Sequence, residues 1–95
     1  MSTERIIEID FIGANTKEEI HNRLAKAFGF PDYYGKNWDA FDECINDLDK
    51  APQKIIIKGF GTLEDKLPRE AILLIDCLHD YQQTEDGQGV KVKIE

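Results

Sequence analysis

At 95 residues, with 41% hydrophobic and 33% charged side chains, the chain can bury one modest core without staples and reads as one domain over 1–95. Its formal net charge of −7 excludes sequence-independent binding to nucleic acid or to an anionic membrane, and favours a basic partner. No apolar run approaches the length of a membrane span, and Met1-Ser2-Thr3-Glu4-Arg5 leads straight into a strand pattern rather than a signal peptide, so the expected compartment is cytoplasmic.

From Ile6 to Ile12 the chain alternates, with Ile7, Ile9 and Phe11 on one side and Glu8 and Asp10 on the other, which is a strand. Gly13-Ala14 breaks it, and Thr16 with Glu19 forms a capping box for the first helix. Ile20, Leu24, Ala27 and Phe28 recur at helical spacing as its buried stripe, with His21 at the stripe's edge as a partly buried structural histidine. Gly29 is the natural residue to end that helix before Pro31.

A turn with two adjacent tyrosines follows, punctuated by Pro31 and Gly35, and Asn37 is a good N-cap for a helix running to about Leu48. With Phe41 set at zero on a helical wheel, Ile45, Leu48, Asn37, Trp38 and Cys44 fall within about 60° on either side. Asp39, Asp42, Glu43 and Asn46 share an arc from roughly 100° to 200°. One face is core and the other is acidic. Asp39 gains from the helix dipole in the first turn, whereas Asp42, Glu43 and Asp47 crowd one another to no benefit for folding. Only Lys36 and Lys50 flank the patch. Pattern alone fits a solvated surface. Tyrosine and tryptophan beside charge, on and next to a loop, fit a recognition surface better.

Ala51-Pro52 opens the next segment, and Ile55-Ile56-Ile57 suits a central strand covered on both faces. Gly59-Phe60-Gly61 closes it without the spacing of a phosphate-binding loop, and an irregular turn is expected around Leu63-Glu64. Pro68 is placed as the first residue of a further helix, with Glu70 in its first turn. Ala71, Leu74, Ile75 and Leu78 form the stripe of that helix, Ile72 lies beside the stripe, and Asp76 and Asp80 lie opposite. Gln82 to Gly89 is a loop, and Val90, Val92 and Ile94 alternate with Lys91, Lys93 and Glu95 in a closing half-exposed strand. Long crossovers through helices favour parallel pairing. The expected fold is α/β, a small three-stranded parallel sheet packed with about three to four helices.

Catalysis is not expected. His21 and His79 are the only histidines, and neither has the Ser or Cys context of a triad. Asp39 and Glu43 share one convex helix face, which can neither desolvate a carboxylate for acid–base work nor converge on a metal, so no metal or cofactor is expected. Cys44 and Cys77 have no metal-like spacing and read as free thiols.

The run Tyr33-Tyr34-Gly35-Lys36-Asn37-Trp38-Asp39-Ala40, with Pro31 before it and Cys44 after it, resembles the signature of the barstar family, intracellular protein inhibitors of the extracellular ribonuclease barnase. The family pattern reads Pro, acidic, Tyr-Tyr-Gly, any residue, Asn, Leu or Trp, Asp-Ala, an order that no generic turn–helix rule dictates. The resemblance extends to the order of elements along nearly the whole chain. It implies an immunity protein, a monomer when free, whose partner is a basic secreted barnase-like ribonuclease. The implied partner-binding residues are Tyr33, Tyr34, Gly35, Asn37, Trp38, Asp39, Ala40, Glu43 and Asn46, with Asp42 in the same acidic arc. The family also uses an acidic residue of its last helix, for which Asp80 is the first candidate and Asp76 the second. By the same resemblance Glu43 would reach deepest into the phosphate site. The chain departs from barstar at Glu43, where the family has Asp, and at Asp42 and Leu48, where it has aromatics. Charge is kept and geometry is not, which shifts the expected target from barnase itself to a different nuclease. The competing reading is a non-inhibitory interaction module whose acidic face binds another basic protein or toxin domain.

Overall fold

In a computed structural model that describes residues 5–48 and 51–95, the chain runs β1 (Ile6–Asp10), α1 (Lys17–Phe28), α2 (Trp38–Asn46), β2 (Lys54–Lys58), α3 (Phe60–Lys66), α4 (Pro68–Gln82), β3 (Lys91–Ile94). The strands form one parallel sheet in the order β1-β2-β3, so β2 is central. Ile7 lies beside Ile55 and that beside Val92, and Ile9 beside Ile57 beside Ile94, which stacks the β-branched side chains of all three strands in two rows. The expected α/β architecture with three parallel strands is present, carried by four helices.

Two expectations change. The Ile55-Ile56-Ile57 run belongs to the central strand, but the helices cover only one face of the sheet, and that face opens at its β3 edge, where Ile94 is 48% exposed. Ile7, Ile9, Ile55 and Ile57 are buried under the helices, while across the opposite face Glu8, Asp10, Lys58, Lys91 and Lys93 are exposed and Lys54 and Ile56 half-buried. Ile56 sits between Glu8 and Lys93 in the register, and the stems of such long side chains suffice to cover half of it. The irregular turn expected at Leu63-Glu64 is instead the seven-residue helix α3. Its start is set by Gly59 in the left-handed region (φ 70°) and its anchor is the fully buried Leu63. A Cβ at residue 59 would meet the Ile12 backbone nitrogen at 2.9 Å, so this strand-to-helix corner takes glycine only. Ile72, expected beside the stripe of α4, is 63% exposed; the core side of that helix is completed by Tyr81 and Glu70.

One cluster of buried residues joins the sheet to all four helices. The helix ends follow the expected chemistry. The Thr16 hydroxyl accepts from Glu19 N–H at 3.1 Å, and Glu19 reaches back to the Asn15 N–H at 3.3 Å, one residue beyond the usual arm of the box. Gly29 closes α1 at φ 72°, its N–H bonded to the Ala25 carbonyl. Pro68 starts α4. No helix among the described residues is long and apolar enough to cross a membrane.

Candidate partner-binding surface

The surface is built on a turn that the core holds from below. After Gly29, Phe30 stacks on Phe28 at 5.3 Å and meets Phe41 edge-on at 5.8 Å, fixing the exit of α1 against α2. Tyr34 N–H closes a turn onto the Pro31 carbonyl at 3.0 Å. The two tyrosines then part company. Tyr33 is 83% exposed, whereas Tyr34 is 6% exposed and points into the core. Its hydroxyl lies 2.6 Å from Nδ1 of His21 on α1. Tyr34, which the resemblance places among the partner-binding residues, therefore uses its ring to seat the turn and leaves little of itself at the surface. Burial pushes its phenol well above the ordinary range, so it stays protonated.

Gly35 follows with little room: a Cβ there would lie 3.3 Å from the Asn37 side chain and 3.4 Å from Ala40 Cβ. Lys36 takes a left-handed conformation (φ 53°) that turns the chain into α2. Asn37 caps that helix, accepting from Ala40 N–H at 2.7 Å and donating to the Gly35 carbonyl at 3.3 Å. The same side chain thus ties the helix start to the turn. Asn37→Ala is expected to cost about 1 kcal/mol of stability in urea unfolding and Asn37→Ser much less, because serine restores the acceptor.

Trp38 is half-buried. Its indole N–H donates to Glu70 Oε1 of α4 at 3.2 Å, and its ring meets His21 edge-on at 4.5 Å and Phe41 at 5.7 Å. Glu70 is only 5% exposed and also faces Lys17 at 3.8 Å. This buried carboxylate was invisible in the sequence pattern, where position 70 is only an acidic residue in a first turn; it is buried because α2 docks on α4. His21, expected half-buried, is buried completely.

On the outer side of α2, Asp39, Asp42, Glu43 and Asn46 are all exposed, and Ala40 is partly covered between the two faces. None of Asp39, Asp42, Glu43, Asp76 and Asp80 has an ion-pair partner among the described residues. Lys36 turns away to Glu18 at 3.7 Å, and Lys50 lies outside the described residues. Asn46 donates to the Asp42 carbonyl at 2.8 Å and so stays on the helix. The acidic face is not confined to α2. Cys77 of α4 has its thiol pushed up to about 11, first by burial and then by Asp42, Asp80, Asp76 and Asp39. Carboxylates of both helices therefore act on one spot, and Asp76 and Asp80 extend the α2 patch across the helix pair. Burial first, then Glu43 and Asp47, raises the Cys44 thiol, and both cysteines are free. Thiols shifted this way are poor nucleophiles.

Beside the patch, Tyr33 stands over a groove shared with Glu43, Cys44, Asn46 and Asp47. No three His, Cys, Asp or Glu side chains among the described residues are grouped to hold a metal ion. The arrangement offers carboxylate oxygens on a rigid element next to an exposed aromatic ring, the chemistry that takes bidentate hydrogen bonds and stacking from arginine.

The family model described as Barstar (barnase inhibitor) matches residues 4–95. A Bacillus subtilis (strain 168) protein described as "Putative ribonuclease inhibitor YrdF" is 36% identical over 79 residues, covering 83% of this chain and 87% of that protein.

Proposed function

The chain belongs to the barstar family, and from that premise we propose that it is a cytoplasmic inhibitor of a barnase-type extracellular ribonuclease. In this reading it is an immunity protein that keeps the nuclease inactive before export, with its α2–α4 acidic face and Tyr33-Tyr34-Gly35 turn set in the basic active site. The observation that carries the reading is the row of exposed carboxylates on α2 and α4, with no ion pair of their own among the described residues, directly after the family's turn. Such a face carries a standing cost of like-charge repulsion that a cationic groove would relieve. A ribonuclease site gathers arginine, lysine and histidine to hold phosphates, and carboxylates on a rigid helix can take the hydrogen bonds that the RNA backbone would accept there.

In this account Asp39, Asp42 and Glu43 accept from the nuclease's cations, with Asp80 and Asp76 contributing from α4. Tyr33 and the edge of Trp38 supply contact area, and Gly35, Asn37, Ala40 and Asn46 let the turn and helix approach closely. Titrated into a panel of barnase-type ribonucleases, beginning with any encoded in the same genome, the protein is expected to abolish RNA hydrolysis at one equivalent. The association rate should fall by about tenfold or more between low salt and half-molar salt, because complementary fields steer the encounter. Full nuclease activity across the panel would favour the non-inhibitory module that binds another basic protein, to which the replacement of the family's Asp by Glu43 lends weight.

A further inference from the structure

One carboxylate meets the first turns of three helices. Glu70 lies in the first turn of α4 and accepts from the indole N–H of Trp38, the first residue of α2, at 3.2 Å. The same oxygen, Oε1, faces Nζ of Lys17, the first residue of α1, at 3.8 Å. The two contacts are unequal. Lys17 keeps 68% of its side chain exposed, so that pair is long and screened, whereas the indole bond is directional and ends on a residue that is 5% exposed. On the wheel of α4, Glu70 shares its face with Leu74 and Tyr81, both buried. A leucine at position 70 would continue that apolar stripe. It would also avoid taking a carboxylate out of water, a cost that one neutral donor and one exposed lysine offset only in part.

Folding alone therefore does not account for Glu70, and its directional contact shows what it adds. The Trp38 ring also meets His21 of α1 and Phe41 of α2. Its hydrogen bond to Glu70 is the contact that orients it against α4. Asp39 follows Trp38 directly, and Asp76 and Asp80 lie farther along the helix that carries Glu70. We propose that Glu70 is a positioning residue of the partner-binding surface: by holding the Trp38 indole it sets the start of α2 against α4, so that the carboxylates of both helices meet a partner at one spacing. This role rests on the inhibitor reading for its partner, while the tether itself belongs to the free protein. A helix start that is already fixed loses less freedom on association, and the gain lies mainly in slower dissociation. The burial of the charge is then a loss of stability that binding, not folding, requires.

Glu70→Leu removes the acceptor and Glu70→Gln keeps one. Both delete the same charge, so long-range steering is equal in the two and their difference isolates the hydrogen bond. Glu70→Leu should unfold in urea at a midpoint equal to or above that of the wild type. In NMR spectra of the free protein, the indole proton of Trp38, the chain's only tryptophan, should lose its hydrogen-bond shift in Glu70→Leu and keep it in Glu70→Gln. The α2 amides from Phe41 to Ile45 should exchange with D2O about tenfold faster in Glu70→Leu, and the β2 amides no faster. Against the nuclease, Glu70→Leu should dissociate about tenfold faster than the wild type, and Glu70→Gln should recover most of the difference. In a Trp38→Phe background, which has no N–H to hold, Glu70→Leu should change dissociation by less than about twofold. An undiminished effect in that background overturns the proposal, as does a Glu70→Gln variant that dissociates as fast as Glu70→Leu. A Glu70→Leu variant that binds like the wild type, folds less stably or does not fold also overturns it. If no nuclease binds, the inhibitor reading falls by itself, and the exchange data decide the tether: faster exchange confined to α2 supports it and unchanged exchange overturns it.

Discussion

Asp39→Ala and Glu43→Ala are each expected to weaken nuclease binding by about 2–5 kcal/mol, the range found when one partner of a buried charge pair is truncated, with barnase–barstar among the systems that define it. The cost is large because each change leaves a nuclease cation desolvated and unmatched. Fold stability should hardly move, and in opposite directions for the two variants. Asp39 lies in the first turn of α2, where a carboxylate complements the exposed N–H groups, so its loss costs about 0.3–1 kcal/mol. Glu43 lies beyond that turn, four residues after Asp39, and its loss relieves a like-charge pair by a few tenths of a kcal/mol. Asp65→Ala on the exposed side of α3 removes the same charge away from α2 and should change binding by less than about 1 kcal/mol. Titration calorimetry with matched urea melts separates these results. Equal binding losses for Asp65 and Glu43 would mean that net charge, not the position of Glu43, sets affinity.

Phe41→Ala should have the largest effect on the fold, about 3–5 kcal/mol. Phe41 is fully buried and meets Phe28 edge-on at 5.8 Å, Phe30 at 5.8 Å and Trp38 at 5.7 Å. It is the residue through which α2 holds both the end of α1 and the indole that reaches Glu70. Domains of this size have only about 5–15 kcal/mol in total, so the variant should be near its folding threshold and melt well below the wild type. Nuclease binding should fail with it although Phe41 touches no partner, because the carboxylates would no longer share one rigid face. A loss under about 1 kcal/mol in urea unfolding at an unchanged slope would show that α2 is held in some other way.

What could be read beforehand was local. Thr16, Gly29, Asn37 and Pro68 mark their helix ends because caps are written within a few residues. The alternation in β1 and the wheel of α2 give the correct buried faces for the same reason. Features that depend on what packs against what were not legible. Ile55-Ile56-Ile57 reads as two-sided burial, but which faces of a sheet receive helices is a matter of topology. The α3 helix carries two glycine-flanked positions and a single buried residue, too little periodicity for its seven residues to stand out. The acidic arc on α2 was visible by itself. Its continuation through Asp76 and Asp80 exists only because α4 lies alongside. Tyr33 and Tyr34 look equivalent in a turn, yet one faces solvent and the other a buried histidine thirteen residues away.

The account stands on carboxylates of α2 occupying the phosphate site of a nuclease, and competition calorimetry tests that claim most directly. Titrated into a barnase-type ribonuclease, the protein should bind one to one, and the heat should vanish when a non-hydrolysable oligonucleotide already fills the active site. Binding that is indifferent to the oligonucleotide would place the contact elsewhere on the nuclease and contradict the account.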